Sequence, residues 1–354
     1  MTSISDKAAP AFGADRRAQV INGAAKAAWW GATAVALRTL ARPALAPPSG
    51  FEPTAPAAPK GFLRRSWLEA FEKDAADVAE GLYPPMSDRA SKTSLAPRQT
   101  VDLLADARQV EARRRRGGVT EAREEAPTGR GFPAYYRQNF HFQSGGWFTA
   151  ESARRYEGQV EALFAGAAGA MRRRSLSLLA RAWADKDHRG LTILDLACGS
   201  GAFLENLART FPRARILGVD LSHAYLMEAR QRSSVRALAL ANAERLPFAD
   251  SSLDAVTCVY LFHELPPKVR PRVAAEIARV LKPGGFLALA DSVQPIDEPR
   301  LARLLQAFPA YFHEPFYASY SQTDLPALFA GAELILRDQD RAFLTKAMLF
   351  EKGC

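Results

Sequence analysis

From Leu191 to the end of the chain, short apolar runs alternate with stretches of helical length. The runs are LTILDLA, RILGVDLS, VRALALA, LDAVTCVYLF, GFLALADSV, AELILRDQD and AFLTKAMLFEKG; helical patterns start at Ala202, Tyr225 and Pro271. A run of five to ten apolar residues is too short for a core helix, and it lacks the in-out alternation of a half-solvated strand. It reads as a strand covered on both faces. Strands joined by helices of this length form crossover units, so the sequence predicts a doubly wound, mostly parallel seven-stranded α/β sheet of the Rossmann-like kind. Three scattered cysteines, Cys198, Cys258 and Cys354, exclude a disulfide framework and a closed zinc site. A reducing cytoplasm follows as the expected setting, with no metal.

The chain before the sheet divides by composition. Residues 1–42 form a partly helical appendage. Within it the uncharged stretch Ala27–Leu37, with Trp29 and Trp30, is about half the length of a membrane span. It is read as a packing helix, with weak peripheral membrane contact through residues 27–41 as the sharper alternative. A signal-peptide reading is spoiled by Asp6, Asp15 and Lys26. Residues 43–60, holding Pro43, Pro47, Pro48, Pro53, Pro56 and Pro59, are an extended linker. Residues 61–131 are a helical extension: Phe62, Leu63, Trp67, Leu68, Phe71 and Val78 recur at helical spacing, a second, Arg-rich helix fills 99–116, and 117–131 is a polar loop. Residues 132–189 are an aromatic-rich lid with a helix from Ala150 to Leu179, and 190–354 form the sheet domain.

The charge is +9, which would suit nucleic acid if it were concentrated. It divides into +5 over residues 1–130 and +4 over 131–354. The runs Arg113–Arg116 and Arg172–Arg174 lie in helical patterns, where solvated faces are the ordinary reading.

Ile193 to Gly201 (ILDLACGSG) is a buried strand running into a glycine turn and then a helix. Gly199 and Gly201 permit a sharp turn and close approach of a ligand, and the helix that follows offers amide donors to a negative group. The third glycine of the dinucleotide fingerprint is missing, and no Gly-Lys-Ser/Thr follows, so neither that fingerprint nor a phosphate loop is present. Twenty-five residues beyond Asp195, the second strand ends at Asp220, a carboxylate placed to accept from both hydroxyls of a ribose.

The ordered set DLACGSG, GVD, NAE-RLPF, LDAVTCVYLFHELP and LKPGG resembles the class I S-adenosylmethionine-dependent methyltransferases over residues 191–291. Within them it is most similar to the small-molecule branch containing the ubiquinone/menaquinone C-methyltransferases. The resemblance implies S-adenosyl-L-methionine as cofactor. Asp195 would stand near the methionine amino group, with Ala197, Gly199 and Gly201 lining the amino-acid end. It puts Asp220 on the ribose hydroxyls, Leu221 against adenine, and the Ala243 amide on the adenine ring. Asn242 stands where the family often has Asp, and its side-chain oxygen can still accept from the adenine amino group. Tyr260 would lie near the methyl donor.

Methyl transfer needs alignment, plus a base where the nucleophile loses a proton. His263 and Glu264 follow the fourth strand, and His141 sits in the aromatic segment that would cover the acceptor. His263 is favoured, because neutral imidazole is the natural base near pH 7; a structural histidine is the competing reading. The acceptor is expected to be a small aromatic or lipid-like molecule. Two alternatives stand: an RNA-directed methyltransferase, disfavoured because a base-methylating Asn/Asp-Pro-Pro-Tyr/Phe loop is missing, and a non-catalytic cofactor-binding scaffold.

Overall fold

The computed structural model describes residues 51–86, 109–126 and 131–353, together with Ile21, Gly23, Ala25, Ala28 and Ala32. The proposed membrane-touching stretch apart from Ala28 and Ala32, including Trp29 and Trp30, the first half of the linker and the start of the Arg-rich helix lie outside the described residues. Among the described residues no helix is long and apolar enough to cross a membrane.

All seven expected strands form: β1 (Thr192–Leu196), β2 (Arg215–Asp220), β3 (Leu238–Leu240), β4 (Leu253–Val259), β5 (Leu281–Ser292), β6 (Leu334–Ala342) and β7 (Thr345–Lys352). They make one sheet in the order β3-β2-β1-β4-β5-β7-β6. The first five strands run parallel, and β7 is antiparallel to both neighbours. The order reverses between β1 and β4, which opens a crevice at their carboxyl ends, where doubly wound sheets bind ligands. Two details depart from expectation. The β3 strand is a short edge with Ala239 and Leu240 exposed rather than covered. The Lys-Pro-Gly-Gly turn lies inside β5: pairing with β4 jumps from Leu281 to Phe286, and Gly284 takes a left-handed φ of 71°.

The helices are α1 (Phe62–Ala79), α2 (Ala122–Glu125), α3 (Ala150–Leu163), α4 (Ala168–Ala182), α5 (Ala202–Thr210), α6 (His223–Arg232), α7 (Arg270–Val280), α8 (Ala302–Tyr311), α9 (Tyr317–Tyr320) and α10 (Leu325–Ala330). Residues 109–116 are also helical. The expected loop at 117–131 contains the short α2. The single helix expected from Ala150 to Leu179 is broken into α3 and α4 by left-handed Ala165 and Gly166. Thr149 and Ser222 cap α3 and α6, accepting from the amides of Ser152 and Tyr225 at 3.2 and 3.1 Å. Around the sheet, α4 packs on β5, β6 and β7, and α1 packs on α4 and β6.

The run Arg172–Arg174 corrects the expectation of a solvated face. Arg172, Arg173 and Arg174 are buried. Consecutive residues of a helix point about 100° apart, so each reaches a different neighbour. Arg172 donates to Glu157 of α3 at 2.7 Å, Arg173 grips Asp74 through two bonds of 2.6 and 2.8 Å, and Arg174 donates to Asp77 at 2.6 Å. The Tyr83 hydroxyl lies 2.9 Å from an oxygen of each aspartate, its one proton shared between them. The buried face of α1 is therefore Ala70, Asp74, Ala75, Asp77 and Val78, while Leu63 and Leu68, expected inside, are exposed. Arg113 to Arg116 share two carboxylates, Glu111 and Glu121, with Arg113 buried and Arg115 and Arg116 exposed, so this run is half solvated as expected and only partly neutralised by them.

Removing one member of a buried ion network strands its partners without solvent. Asp77→Ala, which strips acceptors from Arg174, Arg181 and Tyr83, is expected to cost about 3–5 kcal/mol in urea unfolding. A loss below 1 kcal/mol would show that the network is not sealed from water.

Candidate functional site

The crevice at the carboxyl ends of β1, β2 and β4 holds a cavity of about 110 Å³. Ala197, Gly199, Asp220, Leu221, Asn242, Ala243 and Tyr260 are on its wall, as is Glu264. Asp195 lies just behind the wall, 1% exposed, and Gly201 sits at the N-cap of α5. His141 and His263 are not on the wall.

The turn after β1 explains its residues. Gly201 adopts φ 80°, and a Cβ there would meet the Ala229 backbone and side chain of α6 at 2.8 Å. Only glycine lets the two helices come this close. A Cβ on Gly199 would meet nothing within 4 Å, because that side of the turn faces the cavity. Ala197 and Tyr260 also hold left-handed φ values of 56° and 58°, uncommon for residues with a side chain and concentrated at functional sites. The turn is braced from outside by Ser200, whose hydroxyl donates to Glu157 at 2.6 Å, the same Glu157 that holds Arg172. Burial pushes the Glu157 carboxyl up, but Arg172 and these hydrogen bonds outweigh it and hold the group ionised.

The carboxylates differ in what they lack. Asp195 Oδ1 accepts from Thr257 at 2.8 Å, while Oδ2 is buried without a hydrogen-bond partner among the described residues. Burial, with the Asp220 charge adding to it, pushes this carboxyl up to about 7 against the Thr257 bond. Asp220 accepts from the amides of Gly199 and Ser222 at 2.8 and 2.7 Å; burial still raises it to about 6. Asn242 Oδ1 already accepts from the Glu244 amide at 2.9 Å, leaving one lone pair for another donor.

The aromatic segment covers the crevice. Tyr135, Tyr136, Phe140, Trp147 and Tyr156 line the cavity, and Phe140 and Trp147 also pack in a buried cluster with Tyr225. These aromatics thus serve as cavity wall and as packed core at once. The cover is latched to α6, where the Ser222 hydroxyl donates to the Trp147 carbonyl and Gln143 donates to the Tyr225 hydroxyl at 3.1 Å. At its other end the Tyr135 hydroxyl donates to Glu244 at 2.8 Å.

Beyond Tyr260 the chain enters a buried charge cluster. His263 Nδ1 lies 2.6 Å from Asp291 of β5, and Asp291 also accepts from the Phe262 amide at 2.8 Å. Burial works against charging this imidazole, but Asp291 and its hydrogen bond prevail and raise it to about 9. The Asp291 pair favours the charged imidazole, and the ring lies off the cavity wall. Glu264 is the residue of the pair that reaches the wall. His141 stands between Glu264 and Glu314, at 3.7 and 2.8 Å. Sequence reasoning missed Glu157, Arg172 and Glu314, whose partners are distant in the chain; Asp291 was legible as a carboxylate inside an otherwise apolar run.

Residues 193–285 match the family model described as a methyltransferase domain. The chain is 32% identical over 162 residues to the ubiquinone/menaquinone biosynthesis C-methyltransferase of Desulfotalea psychrophila, covering 40% of this chain and 65% of that one. It is 34% identical over 144 residues to the fatty-acid O-methyltransferase of Mycolicibacterium smegmatis, covering 39% and 51%. The match thus spans half to two thirds of these relatives' length. Among solved structures, the magnesium protoporphyrin IX methyltransferase of Synechocystis with bound S-adenosylhomocysteine aligns with a TM-score of 0.42 at 17% identity, covering 53% of this chain and 85% of that one.

A carboxyl whose folded pKa is raised contributes stability at low pH that is lost as pH rises through the folded value. For the ligand-free chain, Asp195 at about 7 places that loss between about pH 4 and 7. Asp195→Asn is expected to flatten the fall in urea stability between pH 5 and pH 8; an unchanged slope would mean that the carboxylate is already compensated.

Proposed function

We propose, from the premise that this chain carries a class I S-adenosylmethionine-dependent methyltransferase domain, that it transfers a methyl group to a small aromatic or lipid-like acceptor. The observation that carries the reading is the unpartnered Oδ2 of buried Asp195 at the carboxyl end of β1. A buried carboxylate with an open lone pair calls for a cationic donor, and the ammonium of the methionine end supplies one. The rest of the cradle fits the same molecule. Gly199 leaves room for it, Asp220 keeps lone pairs for two ribose hydroxyls, and Asn242 with the Ala243 amide offers an acceptor and a donor to adenine.

When bound, S-adenosylmethionine supplies an electrophilic sulfonium methyl group. The chain's own part is alignment, water exclusion and proton removal. Trp147, Tyr136 and Tyr156 close over the crevice, where a displacement that disperses positive charge proceeds best out of water. The strained Tyr260 backbone holds its ring at the wall between β4 and the acceptor side, with its hydroxyl bonded to Thr345 of β7. Glu264, ionised, is the wall group able to take a proton from the acceptor. His263 instead braces the Glu264 turn through Asp291.

The acceptor class rests on the aromatic wall and on relatives named for quinone and fatty-acid methylation. Calorimetric titration of the purified chain with S-adenosylhomocysteine tests the cofactor site. Micromolar affinity is expected, falling at least about tenfold, or 1.4 kcal/mol, in Asp220→Ala. A folded wild-type chain that binds neither S-adenosylhomocysteine nor S-adenosylmethionine overturns the reading.

A further inference from the structure

We propose that Glu314, His141 and Glu264 form a positioning relay, along which no proton passes: Glu314 orients His141, His141 positions Glu264, and Glu264 takes the proton shed by the acceptor as it is methylated. The acceptor then belongs to the class whose nucleophilic atom bears a hydrogen, such as a phenol, a carboxylic acid, or a ring carbon activated by a neighbouring hydroxyl. The inference rests on the methyltransferase reading and deepens it. At an oxygen acceptor the O–H bond breaks toward Glu264, an O–C bond forms, and the S–C bond breaks with its electron pair remaining on sulfur.

The geometry selects Glu264. Asp220 and Glu264 are the carboxylates on the cavity wall, and both Asp220 oxygens are tied to backbone amides. Glu264 Oε1 instead faces two imidazoles, His141 Nε2 at 3.7 Å and His263 Nε2 at 4.0 Å. Behind His141, Nδ1 lies 2.8 Å from Glu314 Oε1. The Glu314 side chain is fully buried, and neither of its oxygens has another hydrogen-bond partner among the described residues. A carboxylate placed so is costly unless a cation compensates it, and the cation it meets is His141. The contact fixes which His141 nitrogen points at Glu264, as a second carboxylate orients a catalytic imidazole elsewhere.

The backbone agrees. His141 is held at φ 55° in the covering segment, and its amide donates to the His313 carbonyl, one residue before Glu314, at 3.2 Å. His313 in turn bonds Gln138 at 2.8 Å, so the cover and the relay are joined at both ends. Glu314 and His141 touch neither acceptor nor cofactor and are positioning residues.

The groups facing Glu264 set its pH behaviour. His141, His263, Glu314, Asp220 and the hydroxyl-bearing Tyr136, Tyr156 and Tyr225 surround it from the cover, α3, β2, α6 and the segment after β5. Burial and the Glu314 charge raise the Glu264 carboxyl above its ordinary value, and the two imidazoliums oppose them. His141 is held protonated up to about 10 because Glu314 and Glu264 outweigh its burial. Activity is expected to rise with pH through the Glu264 ionisation, and to fall again as the imidazoliums lose their protons.

The test uses the full chain with its five histidines labelled with ¹⁵N, read by NMR with and without S-adenosylhomocysteine. Radiolabelled methyl transfer from S-adenosylmethionine to a reduced naphthoquinol, and to a dialkyl sulfide lacking such a hydrogen, is measured beside it. Transfer to the naphthoquinol is expected, and Glu264→Gln should lose at least about 100-fold in rate while keeping its S-adenosylhomocysteine affinity. Glu314→Gln should lower the His141 titration and the alkaline limb of the rate profile by at least one pH unit, with the cofactor affinity again unchanged. Three results overturn the relay: a His141 titration identical in wild type and Glu314→Gln, a Glu264→Gln rate within threefold of wild type, or methylation of the sulfide in preference to the naphthoquinol. Absence of S-adenosylhomocysteine binding fails the methyltransferase reading instead, and the ligand-free histidine titration still judges the relay.

Discussion

Three adjacent guanidinium groups buried on α4 tie this structure together. A buried cation demands a carboxylate and sealed hydrogen bonds. Arg172, Arg173 and Arg174 therefore oblige α1 and α3 to lie where Asp74, Asp77 and Glu157 can reach them. The demand reaches the site through one residue: Glu157 holds Arg172 and also accepts from Ser200 within the glycine turn. The helices before the sheet are thereby part of the apparatus that shapes the turn, and the arginines that looked like a solvated face are its anchor.

The crevice shows the same physics from the other side. Its carboxylates, Asp195, Asp220, Glu264 and Glu314, outnumber the cations that face them, and burial raises the carboxyls of Asp195, Asp220 and Glu264. An excess of buried negative charge is unfavourable in the chain alone, and a cationic ligand would relieve it. The covering aromatics lower the local dielectric, which strengthens each of these interactions while excluding water.

The histidine assignment shows where reading residues in order stops. His263 has the right residue type, at the right place after β4, and near neutral pH an isolated imidazole is a base. Asp291 bears on that by favouring the charged ring, and the two are 28 residues apart in the chain. Glu264, its neighbour, inherits the exposed position because the short helical turn Phe262–Glu264 directs one side chain inward and the next to the cavity. Glu314 had no sequence signal at all: it is one acid among many until the chain folds it under His141.

The sequence by itself determined the sheet, the seven strands, the glycine turn and the two carboxylates that end β1 and β2. These follow from local rules: strand length, two-sided burial and the φ values that only certain residues tolerate. It also placed the aromatic cover, because dense aromatics must bury somewhere. The tertiary structure alone decided which charges are compensated. Arg172–Arg174 became core, Arg113–Arg116 became paired, His263 was set against Asp291 and Glu264 at the wall. Electrostatic partners are set by distance in space and by burial, and neither can be read along the chain where, as for Arg172–Arg174, His263 and His141, the partners stand from 15 to 173 residues apart.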